Sequence, residues 1–413
     1  MIKTKRNSKR NSKRNSKRNS KRNSKRNSNR NSNRNSNRNS NRNSKRNSKR
    51  NSKRNKKNTK NKNKTVRKYI KLIGGAYVSA PVASNLYEFI TTIGIFNQPN
   101  GVAVSHSSNY IYVADTGNHC IKIFNGNNNP HTYEAIIGTG EDGFDNTEFS
   151  VPRGVAVLST EEGDIIYVAD TCNNRIQIFS FNGNILGYIT TLGNLSDGTN
   201  NTNFNIPSCL AVSADGKRIY VADHGNHCIQ MFDRTDGSNR IFEYGFDGTN
   251  NIHFNSPSGV AVLSTDDGDI IYVADTGNNL IQILNGDGIC IGTLGNGSDG
   301  TDNTVFNSPR GVAVSAYLGI IYVSDTDNNR IQMFNGKTLA FIGTLGNPLD
   351  KFSPREISVS ATGDRIYVAD ANNEGVHIFE LNQHVLESMM ATNTYENNTV
   401  GNLAQMMEGT SVS

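Results

Sequence analysis

The chain has 413 residues, with 44 Lys and Arg against 36 Asp and Glu, five cysteines and no tryptophan. That length admits one large domain or two ordinary ones, and no apolar run reaches the length of a membrane-spanning helix. Cys120, Cys172, Cys209, Cys228 and Cys290 are odd in number and lack CxxC spacing, which argues against a disulfide scaffold or a zinc site.

Charge is divided very unevenly along the chain. Residues 1–71 hold 31 of the basic residues and no acidic one, so the rest has 13 basic against 36 acidic, a formal −23. From Lys5 to Lys56 run thirteen tetrapeptides, eight of them KRNS, four NRNS and the last KRNK. With no apolar surface to bury and like charges that repel, residues 1–68 are expected to be a disordered arm. Lys and Arg of residues 5–71 can neutralise nucleic-acid phosphates or another polyanion without sequence readout. No aromatic residue precedes Tyr69, so stacking on single-stranded bases is not expected of the arm. The same array can serve as a nuclear import signal or as a phosphorylation array, its serines from Ser8 to Ser52 recurring at every fourth position. It can equally be a neutral expansion of a slippage-prone repeat. Residues 69–85 read as a linker. Their apolar stretch is broken by Lys71 and follows the arm, so secretion is not expected and the localisation is expected to be intracellular, in cytoplasm or nucleus. The cysteines then fit small buried thiols in a reducing compartment.

Beyond residue 86 one phrase recurs: YVADTGNHC (112–120), YVADTCNNR (167–175), YVADHGNHC (220–228), YVADTGNNL (272–280), YVSDTDNNR (322–330) and YVADANNEG (367–375). Each copy is preceded by Pro and a short apolar run, as in PRGVAV (152–157), and followed by an alternating run such as RIQIF (175–179) and a further run such as YITTLG (188–193). These runs are short, β-branched and bounded by turn residues, which predicts four antiparallel strands per unit. Six such units of about 50 residues predict an all-β, six-bladed β-propeller over 86–384. The last unit lacks a fourth strand, while LYEFITTIGIFNQP (86–99) is an orphan strand ahead of the first. It is expected to pair with 376–381 and close the ring. Residues 385–413 read as a flexible tail.

The pattern P-x-G-V-A-V … I-Y-V-A-D-T-x-N-x-R-I-Q-x-F, with Asn-His kept at Asn118–His119 and Asn226–His227, resembles the NHL repeat across all six units. The resemblance implies a six-bladed propeller. The bias to Asn, Lys and Ile with a low-complexity array also resembles chains from A+T-rich genomes, those of giant DNA viruses and protists among them. Some NHL proteins are ubiquitin ligases with a zinc-bound RING domain, whose Cys/His spacing this chain does not show. Others bind single-stranded RNA on a basic top face, whereas the propeller segment here is acidic.

The repeated Asp115, Asp170, Asp223, Asp275, Asp325 and Asp370 each end a strand before a hairpin, where a short carboxylate accepts backbone N–H groups. They are expected to be structural turn caps. The residue after each Pro, namely Asn100, Arg153, Ser208, Ser258, Arg310 and Arg355, is expected at the top mouth of the central channel. Three arginines in that ring suit a carboxylate or other anion, unless they bridge to loop carboxylates such as Glu356. Arg175 and Arg330 form a weaker second ring. Only Asn100 and Glu356 resemble the channel ligands of calcium-dependent lactonase propellers, and the arginines oppose a cation. His119, His224 and His227 fall in turns rather than on inner strands. No metal, cofactor or catalytic residue is therefore expected. The expected function is a non-enzymatic scaffold that binds a protein or peptide on the propeller top face, engaging no membrane and needing no self-association. RNA binding and a divergent hydrolase or lyase activity are the other readings.

Overall fold

The computed structural model describes residues 86–382, apart from 108, 128–129, 194–202, 235–238, 243, 247–250 and 346–351. The expected arm, linker and tail lie outside the described residues. Each unit forms a four-stranded antiparallel sheet, and six such sheets make the propeller. The first blade holds β2 (Gly101–Val104), β3 (Tyr110–Asp115), β4 (Cys120–Asn125) and β5 (Thr132–Ile137). The second holds β6 (Pro152–Thr160), β7 (Gly163–Asp170), β8 (Arg175–Phe181) and β9 (Leu186–Leu192), and the third β10 (Pro207–Val212), β11 (Arg218–Asp223), β12 (Cys228–Asp233) and β13 (Asn239–Phe242). A small hairpin, β14 (Tyr244–Phe246) with β15 (Asn251–His253), follows the third blade, and the sequence pattern did not indicate it. The fourth blade is β16 (Gly259–Thr265), β17 (Gly268–Asp275), β18 (Leu280–Asn285) and β19 (Cys290–Leu294). The fifth is β20 (Pro309–Ser315), β21 (Ile320–Asp325), β22 (Arg330–Asn335) and β23 (Phe341–Leu345).

The sixth blade is assembled from both ends of the described chain. To β24 (Pro354–Val359), β25 (Arg365–Asp370) and β26 (Gly375–Leu381) is added β1 (Tyr87–Ile93). It pairs antiparallel with β26 from Tyr87 opposite Leu381 to Ile93 opposite Val376, as its sequence predicts. Two side-chain contacts reinforce the closure: Tyr87 Oη lies 2.6 Å from Tyr322 Oη, and Thr92 Oγ1 lies 2.7 Å from His377 Nδ1. The inner strands then touch in a closed cycle, β2–β6–β10–β16–β20–β24–β2.

Each blade is covered on both faces by its neighbours, which is why its second strand reads as an unbroken apolar run. Tyr112, Tyr167, Tyr220, Tyr272 and Tyr322 are fully buried between blades, and Tyr112 donates to Asp164 at 2.7 Å while Tyr220 donates to Asp269 at 2.7 Å. The loop entering each blade adds a buried phenylalanine: Phe96, Phe149, Phe204, Phe254, Phe306 and Phe352. Phe149 and Phe306 pack edge-on against Phe179 and Phe334 of the third strands. Among the described residues no helix is long and apolar enough to cross a membrane.

Candidate functional site

The inner strands set the geometry of the channel. A Cβ at Gly101 would sit 2.2 Å from the Arg153 carbonyl oxygen, and one at Gly311 would sit 2.1 Å from that of Arg355. Both neighbours are backbone and cannot swing aside, so the glycine of the P-x-G phrase is required for adjacent blades to approach this closely. Two blades lack it. Cys209 in PSCLAV and Glu356 in PREISV take that place on the third and sixth blades, which face each other across the six-membered ring. Their side chains meet in the channel, the Cys209 thiol lying 3.0 Å from Glu356 Oε1.

Above this bridge all six predicted mouth residues come together. Asn100, Arg153, Ser208, Ser258, Arg310 and Arg355 line one cavity of about 30 Å³ whose remaining wall is Cys209 and Glu356. Ser208 Oγ donates to the Ser258 carbonyl at 2.8 Å, and the Glu356 N–H donates to the Asn100 carbonyl at 3.1 Å. The arginines are not neutralised there. Among the described residues none of the three forms an ion pair, and Nε of both Arg310 and Arg355 is buried without a hydrogen-bond partner. Among the described residues no ion pair joins them to Glu356, whose Oε1 takes the Cys209 thiol and whose carboxyl lies against the backbone of Val155 and Val102.

Electrostatics follow from this crowding. Burial and then the Arg310 charge push Arg355 down to about 10, and Arg310 is lowered by burial and by Arg153 despite the attraction of Asp327. Burial raises Glu356 to about 8, against the opposing pull of the thiol and of the nearby Val155 and Val102 backbone. Burial, followed by the Glu356 charge, lifts Cys209 well above an ordinary thiol. At neutral pH the floor of the mouth is thus a neutral thiol and a largely protonated carboxyl beneath guanidinium groups.

The repeated aspartates are fully buried, but only Asp370 caps its own turn, accepting from the N–H of Asn372 and Asn373. In the other five blades the carboxylate takes no backbone N–H of the turn that follows it. It accepts instead the backbone N–H of the loop entering its own blade, at 2.7 Å from Asn97, Ser150, Asn205, Asn255 and Asn307. Its second oxygen takes the side chains of the Asn three residues on and of a residue seven on, such as Asn226 and Gln230 for Asp223. The correction has a simple cause: the entry loop packs beside the carboxylate and supplies its N–H, while the 3-10 turn that follows these five aspartates supplies its Asn side chain instead.

Arg175 and Arg330 are not a second ring. Arg175 Nε is 2.6 Å from Asp170 and Arg330 Nε is 2.7 Å from Asp325, and both side chains tie down carbonyl groups of the entry loops. Lys122 takes that role for Asp115 at 2.6 Å. Among the described residues Asp223 and Asp275 have no such cation, and burial raises both.

His119 and His227 adopt left-handed conformations at the turns, and each Nδ1 accepts an N–H of the next blade's loop, from Val151 and Ser256. Asn174 and Asn279 do the same with Oδ1, so these histidines are latches. His224 lies beside the mouth, lowered by burial and by Arg153. Among the described residues no group of three or more His, Cys, Asp and Glu is placed to hold a metal ion. All five cysteines are free; Cys172 is exposed in its turn, unlike the other four.

Five segments, residues 96–124, 149–179, 204–232, 254–284 and 306–334, match the NHL repeat family. The sixth blade has the same fold but lies outside those matches. The chain is 28% identical over 217 residues to the protein SUPPRESSOR OF QUENCHING 1, chloroplastic, of Arabidopsis thaliana, covering 46% of this chain and 20% of that one. It is 33% identical over 107 residues to NHL repeat-containing protein 2 of Homo sapiens, covering 23% of this chain and 14% of that one. The bovine NHL repeat-containing protein 2 is likewise 33% identical over 107 residues. The matched segments span at most a fifth of these relatives.

Proposed function

We propose that this NHL-repeat propeller is a non-enzymatic, intracellular binding protein that docks a protein or peptide partner on its top face, with the basic arm as a tether to nucleic acid or another polyanion. One observation carries the reading. Six residues at the starts of the inner strands, one from each blade, converge on a single mouth, and among the described residues its three arginines form no ion pair. A guanidinium that forms no ion pair of its own is poised to take a carboxylate from a partner. Loops placed on a rigid ring are the usual carriers of recognition, and the loops beside the mouth are fixed by Asn173 to Gly143 and Asn328 to Gly300 hydrogen bonds.

RNA binding by the mouth is opposed by the charge of the body, −23 beyond residue 71. The test is titration of single-stranded RNA and duplex DNA against the full-length protein and residues 69–413 across a salt series. Binding by the full-length protein alone, falling steeply with salt and indifferent to sequence, is expected of an arm that only tethers. Sequence-selective binding by residues 69–413 that Arg310→Gln abolishes would overturn the reading and make the top face an RNA reader.

A further inference from the structure

We propose that the channel mouth is a binding site for one carboxylate group, of the kind carried by a peptide C-terminus or an acidic side chain. The inference rests on the reading that the top face takes a peptide, and it names the group that enters the ring.

Two buried donors without partners belong to residues around this one cavity: Nε of Arg310 and Nε of Arg355. Buried polar groups are normally hydrogen-bonded, and a cluster of exceptions marks a place where a partner is missing. The two Nε–H groups are donors only. Glu356, held largely neutral by burial, puts no competing charge beneath them at neutral pH. The site therefore offers donors and positive charge, which selects an anionic acceptor. A cavity of about 30 Å³ admits a small group rather than a whole ligand. A carboxylate suits this size, and its two oxygens match the edge of a guanidinium. The long polyanionic backbone of a nucleic acid does not share that match, since the surrounding body is acidic.

The site is also built for one protonation state. The titratable and charged groups around Glu356 are Arg153, Arg310, Arg355 and Cys209 on the inner strands, with Asp327 and His224 flanking the arginines. When Glu356 ionises, its carboxylate competes with the ligand for the arginines and repels it. Binding is therefore held at neutral pH and lost as pH rises through about 8.

The test uses the full-length protein with acetate, N-acetyltriglycine and the C-terminal amide of N-acetyltriglycine, followed by ligand-observed NMR and thermal shift. The arm is present in every variant, so differences between variants report on the mouth. Acetate and the free acid are expected to bind and the amide is not. The Arg310→Gln/Arg355→Gln variant is expected to weaken binding by about tenfold or more. Glu356→Gln keeps a neutral side chain of the same size and is expected to retain binding while abolishing its loss at alkaline pH. Should the double variant fail to fold, Arg153→Gln and the pH profile of Glu356→Gln decide the matter alone. Equal binding of acid and amide, binding of inorganic phosphate in place of acetate, or a folded double variant with unchanged affinity would each overturn the proposal. Peptides that dock on the top face regardless of their carboxylates would overturn it and leave the peptide reading standing. Carboxylates bound at the mouth with no longer peptide ever docking would uphold it and overturn that reading.

Discussion

Replacing Glu356 by glutamine is expected to change how stability depends on pH. In the folded chain this carboxyl is moved from 4.5 to about 8 by burial. At about 1.36 kcal/mol for each tenfold change in proton affinity, that displacement is worth at most about 5 kcal/mol. The folded state binds the proton more tightly than the unfolded state. The contribution is therefore complete below about pH 4.5 and is lost as pH rises through about 8, after which it is flat. The substituted amide keeps the size and the neutral, hydrogen-bonding character of the protonated acid but cannot ionise. The Glu356→Gln variant should match the parent near pH 5 and exceed it by several kcal/mol near pH 9. Urea unfolding at a series of pH values gives both free energies, and their difference cancels the shared groups that do not interact with Glu356; Cys209 does. A difference that stays constant from acid to alkaline pH would refute the reasoning, because it would mean that Glu356 titrates normally in the fold.

Removing one partner of a buried pair is the harshest test of the aspartate network. Arg175→Ala strands Asp170 with both side chains almost fully buried and should cost about 3–5 kcal/mol in urea unfolding; Arg330→Ala, at a more exposed pair, should cost less. Gly311→Ala places a methyl 2.1 Å from a backbone carbonyl and should lower the melting temperature far more than alanine at an exposed strand position. Phe352→Ala empties a fully buried site in the sixth blade and should cost about 3–5 kcal/mol by the same denaturation assay. Under native conditions a thiol reagent should modify Cys172 rapidly and the four buried cysteines only after unfolding.

The architecture was legible because a propeller repeats its instructions. One Pro, one short first strand, one IYVAD-like strand and one turn recur in each blade, so six copies expose the period even where a single copy is ambiguous. Closure was legible for the same reason: YEFITTI (87–93) is a fourth strand with no blade of its own. The mouth residues could be placed because each follows a blade's first Pro. The partners of side chains were less accessible. Asp115 and its counterparts sit at turns in sequence, yet they bond a loop about 20 residues earlier, a contact that only the packing of the blade creates. Arg175 looks available beside a turn and is instead consumed by Asp170. The Cys209–Glu356 contact crosses the ring over 147 positions. Its one signal was there to be used: these are two places where the P-x-G phrase lacks its glycine. The hairpin of residues 244–253 has no counterpart among the described residues of the other units, so the repeat could not announce it.

The central claim is that the top face recognises a partner through the arginine mouth, and a peptide-library selection on immobilised full-length protein tests it most directly when repeated on the Arg153→Gln/Arg310→Gln/Arg355→Gln variant. The account predicts enriched peptides whose photo-cross-links fall on the loops around Arg153, Arg310 and Arg355 and whose enrichment disappears in the folded triple variant. Enrichment that is indifferent to the three substitutions, with cross-links on outer-strand side chains such as Tyr133 and Tyr188, would contradict it.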